Sequence, residues 1–195
     1  MKKWLVGAAV LLAMSGSALA QSGAWQIDPA HSNAQFLVRH LGISNVQGEF
    51  TKISGTAQID DKDISKSNVT ATIDVNSIDT RVKDRDDDLK SANYFDAAKY
   101  PTMTFQSTKI VKTGEGTARM TGNLTIHGIT REVTFDVTGP TAPINVMGIR
   151  RGASATVTIN RQDFGLTNAS NKIASGDLMI GNEIKISLDI EMTQQ

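Results

Sequence analysis

The chain has 195 residues, with 20 Lys and Arg against 20 Asp and Glu, three histidines and no cysteine. That balance argues against the basic surface a nucleic-acid or anionic-membrane partner requires. The missing cysteines exclude disulfides and thiol chemistry, so the core alone must hold the fold.

Residues 1–20 read as a secretory signal, with Lys2 and Lys3, an apolar run from Trp4 to Met14, and Ala18-Leu19-Ala20 as the cleavage site. The run is too short for a membrane span, and nothing later reaches the length a span needs. No cysteine follows it to carry a lipid anchor and no Arg-Arg pair precedes it, so export into a periplasm is expected. Without Lys2 and Lys3 the mature chain, residues 21–195, carries 18 basic against 20 acidic groups. Its roughly 175 residues suit one domain with a substantial core.

Asp28-Pro29 makes a turn, and the strand after it sets Ala34, Phe36, Val38 and His40 on one face against Asn33, Gln35, Leu37 and Arg39. An imidazole therefore ends an apolar face. Leu41 to Gly48 is expected to turn the chain, and Phe50 to open a second strand with Ile53, Gly55, Ala57 and Ile59 inward. Phe50 is out of phase with that set, which predicts a bulge near Thr51. A third strand, 68–76, alternates Val69, Ala71, Ile73 and Val75 with polar residues. The alternation then stops, and the polar stretch from Asp84 to Ser91, with Leu89 as its apolar anchor, predicts a short helix. Tyr100-Pro101 punctuates the start of a fourth strand, Thr102–Val111, bearing Met103 and Phe105. Gly114-Glu115-Gly116 predicts a hairpin into a fifth with Ala118, Met120, Gly122, Leu124 and Ile126 inward. A sixth carries Val133, Phe135 and Val137, a seventh Ala153 to Ile159, and an eighth Ile184 to Met192. The connection Arg161–Gly181, with Phe164, Leu166, Ile173 and Leu178, is long enough to be a lid or to hold structure of its own.

Eight alternating strands and one short helix indicate an antiparallel barrel or sandwich. Gly55, Ala57, Ala71, Ala118, Gly122, Ala153 and Ala155 on the apolar faces leave an interior too thinly filled to be solid. The competing reading is that these small residues let strands approach closely. His31-Ser32 beside Asp28 does not make a hydrolase triad, because neighbours on a strand point apart and no nucleophile elbow is present. A metal held by His31, His40 and a carboxylate stays open. The acidic run Asp84, Asp86, Asp87, Asp88 lacks the spacing of a calcium loop, and Asp163-Phe164-Gly165 lacks the partners of a kinase motif. No catalytic residue, metal or cofactor is assigned.

The order His31, Phe36, His40, Gly42, Ser44, Gly48, Phe50 resembles the YceI family. So do Ser77-Ile78-Asp79-Thr80, Arg85-Asp86 with Leu89 and Ser91, Phe95, Tyr100-Pro101 with Phe105, Gly122 to Thr125 with Gly128, and Asp163-Phe164. Asp88 stands where the family pattern leads one to expect a histidine. The resemblance implies an eight-stranded lipocalin-like barrel with an apolar lumen, acting in the periplasm as a binder of polyisoprenoid or other long-chain lipid, not as an enzyme. The expected ligand contacts are His40 and Arg85 at an anionic head, with Arg81 and His31 near that end. Phe36, Val38, Ile73, Met103, Phe105, Met120, Leu124, Phe135 and Phe164 are expected along the tail. The rival readings are an enzyme or metal-dependent protein acting at the barrel mouth, and a solid-cored stress protein. Nucleic acid and a transmembrane segment are not expected, and a homodimer is left open.

Overall fold

Period-two alternation accounts for most of the chain from residue 23 to residue 194, the part described by a computed structural model. The expected signal lies outside these residues. Twelve strands form: β1 Gly23–Ile27, β2 Asn33–His40, β3 Ser44–Phe50, β4 Ile53–Ile59, β5 Asn68–Asp74, β6 Ile78–Asp79, β7 Thr102–Gly114, β8 Thr117–Ile126, β9 Ile129–Thr138, β10 Ile144–Asn145, β11 Ile149–Asn160 and β12 Ile180–Gln194. Among the described residues they are joined by a single α-helix, α1, Lys83–Lys90.

Antiparallel pairing runs β11, β9, β8, β7, β5, β4, β1, β12 and returns to β11, which closes an eight-stranded barrel. Closure turns on β12. One of its edges pairs with β11 from Glu183 to Thr193, and the other is shared end to end by β1, at Met192–Gln194, and β2, from Ile180 to Asp189. β1 and β2 are thus one long strand interrupted at residues 28–32. β3 and β4 are likewise one strand broken at Thr51-Lys52, where both backbone N–H groups donate to Ser77, one to its carbonyl and one to its hydroxyl, at 3.1 Å each. The break lets β4 continue in the ring while β3 stays with β2 and β6. Beyond β6 the sheet stops, and α1 with the turns after it completes the wall, Phe95 meeting Phe50 edge to face at 5.8 Å.

The expected barrel is present, with local differences from the sequence reading, among them the unforeseen two-residue strands β6 and β10. β1 was not anticipated, because five residues between the expected signal and Asp28-Pro29 carry too little alternation to be recognised. The stretch expected to turn from Leu41 to Gly48 is mostly β3, and the turn is confined to Leu41, Gly42 and Ile43. The phase change at Phe50 marks a corner of the barrel instead of a bulge. Val75 to Ser77 forms a short 3-10 turn, so the third predicted strand ends at Asp74.

Inward side chains from every ring strand build one core, including Trp25, Ile53, Ala57, Phe105, Phe135 and Ala155. Outside, threonine hydroxyls pair across neighbouring strands: Thr56 with Thr70 at 3.0 Å, Thr121 with Thr134 at 2.9 Å and Thr125 with Thr130 at 2.8 Å. At one end of the ring Trp25, inward like Ile27, lies under the buried Arg151 guanidinium at 4.8 Å. Arg151 Nε donates to the Thr141 carbonyl at 3.1 Å, and a terminal nitrogen donates to Asp61 at 2.9 Å. These contacts fill the end away from α1. Trp25→Ala is expected to cost about 3 to 5 kcal/mol, read as a lower midpoint in urea or thermal denaturation.

Candidate functional site

The inward faces do not meet at the axis. They enclose an elongated cavity of about 670 Å³, apolar along most of its wall, within the range of roughly 300 to 1,000 Å³ common for ligand sites. Ala34, Ala57, Ala71, Ala118, Ala153 and Ala155 all line it, so these small residues leave space. The two glycines serve close approach instead. A Cβ on Gly55 would lie 2.2 Å from the Thr70 carbonyl oxygen, and one on Gly122 2.4 Å from that of Gln106.

Of the residues singled out from sequence, Phe36, Val38, His40, Ile73, Arg85, Met103, Phe105, Met120, Leu124 and Phe135 lie on the cavity wall. Phe105 and Phe135 meet edge to face at 5.2 Å, and Phe36 tilts against Phe50 at 5.7 Å. Phe164 does not line the cavity: it is 1% exposed and packs into the core from a 3-10 turn, Arg161–Phe164, ended by Gly165 at φ 76°. Leu166, beyond that turn, reaches the wall in its place. Arg81 also lies off the wall, its backbone N–H donating to Asp79 at 2.7 Å with φ at +66°. His31 lies before the start of β2 and His40 at its far end, so they cannot share a metal and His31 is remote from the rim at His40. The β12 side chains Ile184, Ile186, Leu188, Ile190 and Met192 form another length of wall. Their alternation was legible in the sequence as a strand, though not as part of a site.

The rim at α1 is polar. Thr80 is 2% exposed, and its N–H and hydroxyl both donate to the buried Asp86 carboxylate, at 2.8 and 2.6 Å. Arg85 donates through Nε to the Thr80 hydroxyl and through a terminal nitrogen to the Thr80 carbonyl, each at 2.8 Å. This network pins α1 to the end of β6. Across the rim, Arg161 donates to the carbonyls of Leu166, Asn168, Ile180 and Gly181 and to the Ser170 hydroxyl. All five guanidinium N–H groups are thereby used. Burial pushes its pKa down, and burial followed by the Asp88 carboxylate pushes the nearby Tyr94 hydroxyl up. The long connection before β12 is therefore an ordered strap folded around one arginine, extended by a bridge between Lys172 and Leu178.

At the other end, outside the cavity, His31 Nδ1 lies 2.9 Å from Asp28 Oδ2, and Glu191 is nearby. One Arg150 nitrogen donates to both carboxylates, to Asp28 at 2.7 Å and to Glu191 at 2.5 Å. A guanidinium occupies the place a cation would take, and the group serves to tie the 28–32 interruption to β11 and β12. The hydrogen bond with His31 and then that from Arg150 lower the Asp28 pKa from 3.8 to about 2. A depressed carboxyl contributes stability that is present above its unfolded pKa and lost as pH falls through its folded one. Stability should therefore decline between about pH 4 and pH 2, and Asp28→Asn should flatten that limb in acid titrations followed by circular dichroism. For the strap, Arg161→Met should speed amide exchange over residues 165–181 by at least about tenfold relative to the barrel strands, as read by hydrogen–deuterium exchange.

Comparison with known proteins agrees with this architecture. The sequence profile of the YceI-like domain matches residues 25–192. A UPF0312 protein of Vibrio cholerae is 34% identical over 169 residues, covering 85% of this chain and 89% of that protein. Among solved structures, Burkholderia cenocepacia BcnA superposes with a TM-score of 0.73 at 25% identity, covering 85% of this chain and 98% of BcnA. A polyisoprenoid binding domain from Saccharophagus degradans, implicated in plant cell wall breakdown, gives a TM-score of 0.66 over 89% of this chain and 99% of that domain. At 17% identity that last likeness is one of fold alone. By profile, sequence and shape, the chain belongs to the YceI family.

Proposed function

We propose that the barrel is a binding protein for a polyisoprenoid or similar long-chain lipid, held in the lumen and carried through the periplasm after export. The observation that carries this reading is the elongated apolar cavity of about 670 Å³, and the polyisoprenoid-binding neighbour of the same fold supports it. An apolar wall gives a flexible chain burial without asking for hydrogen bonds along its length. At about 0.8 kcal/mol per buried CH₂, three isoprene units supply about 12 kcal/mol against an association cost of roughly 4 to 15 kcal/mol. The wall is apolar along most of its length, so binding is the chemistry these residues favour.

Native mass spectrometry of gently purified protein should find one long-chain apolar molecule per barrel, and stripped protein should take up added prenyl lipid. Apo protein that refuses every prenyl lipid would overturn the reading. Ala71→Phe and Ala155→Phe place a ring in the lumen, so each should abolish uptake while leaving the melting temperature of the ligand-free protein close to that of the parent. Were the space not usable, overpacking would cost about 1 to 3 kcal/mol instead.

A further inference from the structure

The rim of the cavity carries charge of both signs, and the hydrogen bonds there decide which charges are left to meet a ligand. Arg161 has no free donor, all five being committed to the strap. Arg39 gives a terminal nitrogen to the Gly42 carbonyl at 2.7 Å and a second, longer bond to Asn45 at 3.5 Å. Arg85 has given two donors to Thr80 and keeps one edge. It is bracketed on α1 by Asp84 and Asp88, and all three line the cavity. Asp84 and Asp88, four apart on the helix, lie on one face about 5 to 6 Å apart and line the same cavity as Arg85, so a head group seated in the mouth beside Arg85 also faces the carboxylates. Asp84 has no hydrogen-bond or ion-pair partner among the described residues, and Asp88 accepts from the Asn93 amide at 2.8 Å. On the α1 side of the rim the open edge of Arg85 and the two carboxylates offer a donor and acceptors together.

Resting on the lumen reading above, we infer that Asp84 and Asp88 make the mouth select a lipid whose head both donates and accepts hydrogen bonds without carrying negative charge, and reject one ending in a phosphate. A hydroxyl donates to either carboxylate while accepting from Arg85. A phosphate reaches Arg85 only by approaching two carboxylates, and its oxygens have no proton to offer them once it is doubly ionised. Arg85, expected from sequence to hold an anionic head, is in this arrangement one half of a neutral-head site.

The test compares geranylgeraniol with geranylgeranyl phosphate, two lipids of one chain length, on lipid-stripped protein at constant ionic strength. The parent should bind the alcohol at least about tenfold more tightly, since like charges brought together at an interface are strongly disfavoured. Asp84→Asn combined with Asp88→Asn keeps an acceptor at each position and removes both charges. It should tighten the phosphate by about tenfold or more while weakening the alcohol, whose hydroxyl then meets an amide oxygen in place of a carboxylate, so that the preference for the alcohol is lost or reversed. Asp84→Asn alone, at a side chain with no partner to lose, should move the phosphate in the same direction. Equal or tighter binding of the phosphate by the parent overturns the inference, as does a double variant that shifts both lipids alike. If neither lipid binds, the lumen reading itself fails; if both bind equally, only the selectivity does.

Discussion

Everything in this fold depends on how β12 is shared. A strand with one continuous partner on one edge and two successive partners on the other joins a complete ring at one end and a splayed sheet at the other. Where β1 takes the edge, β4 and β5 follow and the barrel closes over Trp25. Where β2 takes it, β3 and β6 follow and the sheet ends without meeting β7. The two interruptions, at residues 28–32 and at Thr51-Lys52, allow one chain to do both. The polar groups gathered at each satisfy backbone that leaves the ladder there.

Guanidinium groups hold the ends for the same reason. A break in a barrel exposes carbonyls that no strand can satisfy, and an arginine delivers up to five donors from one planar group. Arg161 meets the carbonyls of the strap, Arg151 meets Thr141 and Asp61 above Trp25, and Arg150 joins two carboxylates across the 28–32 interruption. Burying such charges is expensive, which is why they stand at the ends of the barrel and not along its wall. The lumen between them is left to aliphatic and aromatic side chains.

Strand parity made most of the wall legible in advance. On several strands inward residues named from sequence line the cavity, as with Phe36 and Val38, Met103 and Phe105, and Met120 and Leu124, whereas Val133 and Val157, of the same parity as lining neighbours, do not. Parity failed where the backbone left the strand. Phe164 lies in a 3-10 turn, where alternation carries no meaning, and its apolar character pointed equally well to core or lumen. Ser44 to Glu49 is polar enough to pass for a loop and becomes a strand through pairing with β2, a tertiary effect. The separation of His31 from His40 was implicit in the strand between them. What no local pattern could supply was the meeting of the α1 residues Asp84, Arg85 and Asp88 with Tyr94 and Arg161 at one rim, which only closure of the barrel brings about.

The threonine pairs on the outer surface bear on how such a container behaves when empty. Thr56 with Thr70, Thr121 with Thr134 and Thr125 with Thr130 link strands on the side away from the lumen, adding to backbone ladders that also owe nothing to what lies inside. The wall therefore has its own rigidity, much as a stave-built cask keeps its shape whether full or drained. Emptying the lumen of any bound molecule would remove dispersion contacts from the lining but leave the connections between staves untouched. On the proposed lipid-binding function, loading and unloading would then proceed at the rim without the molecule unfolding.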